Sequence, residues 1–427
     1  MLDALKNAMR LPDLRNKILF TLGILVVYRL AAHIPVPGID SQALDMVFQA
    51  NQLLGFLDLF SGGALSNFSI VAMGVYPYIT AQIIMQLAIG IVPPLEKLWK
   101  EGGEAGRARI TRWTYLLTVP LAALQAFAQA AMLTQSDPPV LSNFGFQTHP
   151  LETASVIITL TAGTIFAIWL GQLITEQGIG SGVSIIIFGG IVAGVPQRIG
   201  QMLQGNPLTM LFFIGITIIT IVGIILVQEG HRRVPVQYGK RVRGTKIYGG
   251  QSTHIPLRVN SSGMIPLIFA ISILIFPGVI ASYFAAPPGQ PENIANWIVN
   301  AFNQNSPVYW LVYFVMVVGF TFFYTDIIFR QQNLAEVLQQ QGGFIPGIRP
   351  GKRTEEYLNG VLQRITLVGA LFLGLVAILP FLIQDVTETQ AMIITSTGLL
   401  IVVGVVLDTM KQLQAQLVMR HYEGFIK

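Results

Sequence analysis

Residues 57–80 read LDLFSGGALSNFSIVAMGVYPYIT. The first part, 57–70, contains two adjacent glycines, Asp58 and several serines, and is too short and too polar to cross a bilayer. The second part opens an apolar run, 71–92, that is long enough to cross but is interrupted by Gly74 and Pro77. A short element leading into a spanning helix lies at membrane depth only where protein or water surrounds its backbone. Two readings of 57–70 follow: a movable stopper in a cavity, or a helix lying at the interface.

Outward from this stretch, similar apolar runs recur along the chain. With 11% charged residues, 52% hydrophobic residues and a mean hydropathy of +0.61, a water-soluble globule is excluded. Ten runs have the length of a span, near 18–35, 71–92, 113–134, 153–175, 183–203, 208–228, 264–285, 308–328, 365–384 and 390–408. The expected fold is an all-α polytopic membrane protein with ten transmembrane helices. The stretch Met1 to Lys17 is charged throughout and has no small-residue cleavage site, so the first helix is expected to stay in the mature protein.

Orientation follows from the cations. With the N-terminus inside, 24 of the 26 Lys and Arg fall on the cytoplasmic side with 13 acids; the outer side keeps Arg29 and Arg198 with eight acids. Both termini are therefore expected in the cytoplasm. The basic N-terminal tail suits anionic lipid head groups. With no cysteine in the chain, disulfides, thiolate metal sites and cysteine nucleophiles are excluded.

Two connections are long, 230–262 and 329–364, and both are rich in Arg, Gly and Pro. Alternation around Arg233 and Thr245 predicts a β-ribbon turning at Gly244 and Gly249. The second loop stiffens around Arg349 with prolines and glycines, then enters a short helix capped by Thr354 with Glu355 and Glu356 in its first turn. Stiff exposed loops of this kind serve as docking devices.

A cut between the fifth and sixth runs leaves an odd number of spans in each half, so the halves are oppositely oriented. The second run, broken by Gly74 and Pro77, then matches the seventh, broken by Gly263, Pro266 and Pro277. Matched broken helices in an inverted repeat point to the functional centre of a transport protein. The division expected is a segment 1–17, a first half 18–205, a second half 206–408 and a tail 409–427.

Catalytic chemistry is missing from the sequence. No Walker lysine loop, HExxH or His/Asp/Ser arrangement is present, and His33, His149, His231, His254 and His421 are scattered. Neither an enzyme, a metal site nor a cofactor is expected. Gly178-Ile-Gly-Ser-Gly lacks a preceding strand and reads as a tight connection between helices. The span centres hold no Asp, Glu, Lys, Arg or His, which places an ion-coupled secondary transporter of small solutes second to a channel.

Seven motifs in order resemble the bacterial SecY family, the central subunits of protein-conducting channels. They are Ile34-Pro-Val-Pro-Gly-Ile-Asp, Leu59-Phe-Ser-Gly-Gly-Ala-Leu-Ser, Pro77-Tyr-Ile, Ser181-Gly-Val-Ser-Ile-Ile-Ile-Phe, Arg232-Arg-Val-Pro-Val-Gln-Tyr, Gly342-Gly-Phe-Ile-Pro-Gly-Ile-Arg-Pro-Gly and Arg420-His-Tyr-Glu-Gly-Phe. The resemblance covers essentially the whole chain. It implies two inverted five-helix halves with a short plug helix, and a lateral gate between helices two and three and helices seven and eight. The channel would pass unfolded secretory polypeptides across the membrane and release hydrophobic segments sideways into the bilayer.

The same resemblance implies roles for individual residues. The plug is 57–70, including Phe60, Ser61, Gly62, Gly63, Leu65 and Phe68. The pore ring is Val75, Ile79, Val183, Ile187, Ile268 and Ile401, with valine at two positions where isoleucine is common. Thr80 and Phe276 face each other at the gate. Arg349, Lys352, Arg353, Lys240, Arg241 and Arg243 dock the motor ATPase SecA or the ribosome, where a contact with ribosomal RNA would be the one direct nucleic-acid interaction. SecE clamps the halves and SecG is peripheral. Secretory precursors with signal sequences are the cargo, and the site is the bacterial cytoplasmic (inner) membrane. One departure is Phe329-Arg-Gln-Gln-Asn, where many members of the family carry an Asn-Pro turn.

Overall fold

The structure, a computed structural model of the 427-residue chain, describes residues 11–50, 58, 61–134, 139–141, 143–146, 148–203, 207–238, 241–243, 246–248, 252–284, 293–302, 306–387 and 396–423. The chain forms two compact units, Met1–Asn206 together with Ile401–Lys427, and Pro207–Leu400.

The first unit contains α1 (Pro12–Ala31), α2 (Ser41–Ala50), α3 (Tyr76–Ile91), α4 (Pro93–Glu101), α5 (Gly103–Thr134), α6 (Pro150–Gln177) and α7 (Gly182–Leu203). Proline punctuates these helices. Pro12, Pro77, Pro93 and Pro150 stand in first turns, where their missing N–H has no intrahelical partner to lose. This corrects the second span. Residues 71–75 are turns, Gly74 has φ +50°, and helix begins only at Tyr76. Hydropathy continues through 71–75, but the helical ladder does not.

At its far end α3 meets Pro93 and Pro94. Val92, held extended before them, breaks the path, and α4 leaves at 96° to α3. Within the apolar helices, threonine hydroxyls donate to the carbonyl four residues back, as in Thr114 to Ile110 (3.0 Å), Thr118 to Thr114 (2.8 Å) and Thr161 to Ile157 (2.7 Å). Such side chains satisfy themselves where no water reaches.

The second unit contains α8 (Pro207–Glu229), β1 (His231–Tyr238), β2 (Arg241–Arg243), β3 (Lys246–Tyr248), β4 (Ser252–Arg258), α9 (Ile265–Phe284), α10 (Ile294–Ala301), α11 (Pro307–Gln332), α12 (Leu334–Gln340), β5 (Gly343–Phe344) and α13 (Lys352–Thr387). The last helix, α14 (Ser396–Glu423), passes from this unit into the first. Among the described residues six helices are long and apolar enough to cross a membrane, seven if the bent pair α3–α4 is one span. The apolar stretches described in full within α7 and α9, Gly182–Pro196 and Ile265–Leu274, are shorter.

The β-ribbon expected in the first long loop forms, its expected turns at Gly244 and Gly249 lying outside the described residues, and the strands go further than the ribbon. β1 pairs antiparallel with β4 from His231↔Arg258 to Gln237↔Ser252, and with β5 at Gln237↔Phe344 and Tyr238↔Gly343. β5 reaches only that end of β1. Pro235 therefore lies where β1 has a free edge, and a missing donor is tolerated there.

The two long loops thus share one sheet, and beneath it they share one core. Val234, Val236, Leu257, Phe329, Leu338, Ile345, Leu358 and Leu362 pack together. α13 runs unbroken for 36 residues from Lys352, in place of the short helix and separate span expected. Thr354 is not its acceptor cap: the buried hydroxyl donates back to the Arg349 carbonyl at 3.0 Å. Leu358, fully buried, ties the helix to the sheet. Leu358→Ala is expected to destabilise this subdomain by about 2–5 kcal/mol, read as faster limited proteolysis between residues 230 and 350.

At the Phe329-Arg-Gln-Gln-Asn departure α11 continues through Gln332, and Asn333 turns the chain with φ +45° into α12. Asparagine is among the few non-glycine residues that enter the left-handed region at low cost.

Candidate functional site

The described part of segment 57–70, Asp58 and residues 61–70, is folded by its own polar groups. The Asp58 carboxylate accepts from the N–H of Leu65 and of Ser66, both at 2.9 Å, and from the Ser61 hydroxyl at 3.2 Å. Its carbonyl accepts from the N–H of Gly63 at 2.9 Å. Gly62 and Gly63 have φ +71° and +79°, a conformation that glycine enters without a Cβ penalty and that breaks a helix. Asp58 and Ser61 are helical, and beyond Ser61 the segment continues in turns and bends to Ile70. Phe60 lies outside the described residues.

Three neighbours hold this segment. The first is the end of α1: the Tyr28 hydroxyl donates to the Ser61 carbonyl at 2.6 Å, and the Arg29 guanidinium donates to the Gly62 carbonyl at 2.6 Å. Just beyond α1, Val36 N–H donates to Phe68 O and Ile70 N–H to Ile34 O. The second is α7, whose Gly190 meets Gly62 backbone to backbone; a Cβ on Gly190 would stand 1.9 Å from the Gly62 Cα. The third is α6, where a Cβ on Gly163 would stand 1.7 Å from the Ile70 carbonyl oxygen. Leu65 and Phe68 are fully buried among Ala126, Ala130 and Leu133 of α5 and Val156 and Leu160 of α6.

Of the six residues expected to form a ring, five belong to the first unit. Val75 caps α3 and Ile79 stands one turn on; Val183 and Ile187 are likewise one turn apart on α7. Val75, Ile79, Ile187 and Ile401 are buried and Val183 is half-buried. Ile268 is buried on α9 in the second unit. Gly171 of α6 and Gly182 of α7 touch beside Val183, which fixes that end of α7.

Thr80 is buried on α3. Its hydroxyl donates to the Tyr76 carbonyl at 3.1 Å and takes a long contact of 3.5 Å from the Gln125 amide of α5. Phe276 is in α9 immediately before Pro277, and its side chain lies outside the described residues.

Arg349 sits in a loop whose backbone is fixed. Ile345 is buried in the sheet core, Ile348 N–H donates to Ile345 O at 3.0 Å, and Gly347 and Gly351 turn the chain at φ +81° and +101°. The Arg349 carbonyl is held by Thr354 while its side chain is exposed, and among the described residues its guanidinium has no ion-pair partner. Lys352 and Arg353 are exposed in the first turn of α13. Arg241 and Arg243 are on β2, with side chains outside the described residues, as is Lys240 altogether.

Among the described residues no three His, Asp or Glu side chains gather to hold a metal ion. Sequence reading missed Tyr28, Arg29, Gly163 and Gly190 as partners of 58–70. Arg29 carried a signal, being one of two cations outside the stretches expected in the cytoplasm, and a charge at the edge of an apolar helix usually has a task.

The model of the SecY family matches residues 69–410. Proteins called protein translocase subunit SecY from Halalkalibacterium halodurans (46% identical, all of both chains), Thermotoga maritima (42%, all of this chain and 98% of the other) and Bacillus subtilis (41%, all of both) are similar along the full length. Among solved structures, one described as a protein-conducting channel has a TM-score of 0.62 at 20% identity, covering 95% of this chain and 93% of the other. Another, of a SecY whose plug domain stabilises the closed channel, has a TM-score of 0.63 at 20% identity over 95% and 92%. The fold is shared with both.

Proposed function

The chain belongs to the SecY family, and from that membership we propose a protein-conducting channel in which segment 58–70 is the plug. The observation that carries the reading is the lodging of that segment: two buried apolar side chains, Leu65 and Phe68, and a backbone seated directly on Gly190 and beside Gly163. A segment so placed is surrounded by protein and not by lipid, as a non-helical backbone at membrane depth must be. The family match gives no support to the transporter, and the family's members are not enzymes.

In this reading Val75, Ile79, Val183, Ile187, Ile268 and Ile401 form the constriction. An aliphatic ring cannot replace an ion's hydration shell and dewets when empty. It also closes around a chain of any sequence without binding it. Thr80 and Phe276 mark the lateral gate, through which sufficiently apolar segments partition into lipid. The sheet subdomain faces the cytoplasm, as do both termini, in a bacterial inner membrane. SecE and SecG complete the complex, and SecA or the ribosome docks on Arg349, Lys352, Arg353, Lys240, Arg241 and Arg243.

The test is translocation of a secretory precursor into proteoliposomes holding the purified complex, with SecA and ATP. Protease-protected precursor is the expected result; its absence under conditions that support a known channel would refute the reading. The chain has no native cysteine to interfere with a second test. Cysteines at Thr80 and Phe276 are expected to crosslink on oxidation and block a bulky precursor until reduced, and free passage through the crosslinked form would exclude this gate.

A further inference from the structure

We propose that Tyr28 and Arg29 are the latch of the plug, positioning residues that hold segment 58–70 seated and set how readily it leaves. The proposal rests on the plug reading above. Both donors stand in the last turn of α1 and reach consecutive carbonyls, those of Ser61 and Gly62, at 2.6 Å each. Because the acceptors are backbone atoms, the hold does not depend on the plug's side chains. It depends on the two glycines. Their left-handed conformation shapes the turn that presents these carbonyls, and a Cβ on Gly63 would come within 3.2 Å of the Arg29 guanidinium.

The chemistry suits a latch that must open. Arg29 is half-buried, and among the described residues it forms no salt bridge; its observed bond is to a neutral carbonyl. A buried ion pair resists separation, because each partner is left as an uncompensated charge. A cation on a carbonyl leaves only a neutral group behind, and the guanidinium regains water when the plug departs. Tyr28, fully buried, adds a neutral bond on the protein side. The hold is thus directional yet modest, worth about a tenfold change in plug occupancy for the charged bond.

The experiment measures iodide leak through the resting complex, with all its subunits, in proteoliposomes. Parent, Arg29→Gln, Arg29→Lys, Tyr28→Phe and a deletion of residues 62–66 are compared, and precursor transport is measured on the same preparations. Arg29→Gln is expected to raise the leak about tenfold, Tyr28→Phe to raise it less, and Arg29→Lys, which keeps a charged donor, to restore most of the seal, all without a fall in precursor transport. A tight seal in both Arg29→Gln and Tyr28→Phe, with a leaky deletion, overturns the latch and leaves the plug in place. Equal leaks from Arg29→Lys and Arg29→Gln overturn it too, since general damage to α1 would do the same. A deletion as tight as the parent overturns the plug reading itself. Should Arg29→Gln fail to assemble, Tyr28→Phe and Arg29→Lys decide.

Discussion

Gly190→Ala is expected to unseat the plug and leave the resting channel leaking ions. The added methyl carbon would stand 1.9 Å from the Gly62 Cα, 2.9 Å from its carbonyl carbon and 3.1 Å from its nitrogen. All three obstacles are backbone atoms, so no rotamer change relieves the clash. Either α7 or segment 58–70 must shift by about 1.5 Å to restore ordinary contact near 3.5 Å. α7 is held at its start, where Gly182 lies against Gly171 of α6, so the turn-rich segment is the one to yield. Overpacking of this kind costs about 1–3 kcal/mol. Charged to the seated state alone, that is a rise of about five- to 150-fold in the unseated fraction. Ion flux through reconstituted channels measures it, and a seal as tight as the parent's would show that 58–70 does not close the pore. Gly190→Ser is expected to leak as much, because the clash begins at Cβ.

The sequence reading located the helices because hydropathy and bilayer thickness are local quantities. It misplaced the start of α3, since hydropathy does not register that Pro77 lacks a donor or that Gly74 turns the chain. It recognised both long loops as stiff and basic, yet took them as two devices. Their union depends on Tyr238 meeting Gly343 and Val236 packing in one core with Leu358, pairings across more than a hundred residues that leave no local periodicity. Thr354 was misread for a related reason: as a helix signal its hydroxyl suits an acceptor cap, but the fold brings the Arg349 carbonyl within its reach as a donor.

For the proposed ring, the apolar identity of the six residues was visible and their selection from dozens of equivalent aliphatics was not. Only resemblance to the family singled them out. The segment proposed as the plug was legible as an oddity, too polar and too short, whereas its seat was not. Gly163 and Gly190 show their purpose only once Ile70 and Gly62 stand against them.

Arg349→Glu is expected to abolish motor-driven transport while the channel complex assembles in normal amount. The two halves of that outcome have separate physical causes. Assembly persists because the loop is shaped by its backbone: Ile345 in the core, the turns at Gly347 and Gly351, and the Thr354 bond to the Arg349 carbonyl involve no atom of the guanidinium. Transport fails because the side chain projects, exposed, from that fixed frame. A planar donor fork on a rigid loop loses little entropy when a carboxylate binds it, which makes arginine a frequent centre of binding energy. Reversal removes the paired bonds and sets like charges against each other. A loss of at least about 2 kcal/mol, or about thirtyfold in affinity, is the expectation for such a residue. Lys352→Glu and Arg353→Glu are expected to leave the complex assembled as well, because an acid in the first turn of α13 interacts favourably with the helix dipole. Binding of SecA to the purified complex and its stimulated ATPase measure the first half; complex yield and heat stability measure the second. Normal transport through the Arg349→Glu channel would remove Arg349 from the docking site, and loss of the complex itself would make its role structural.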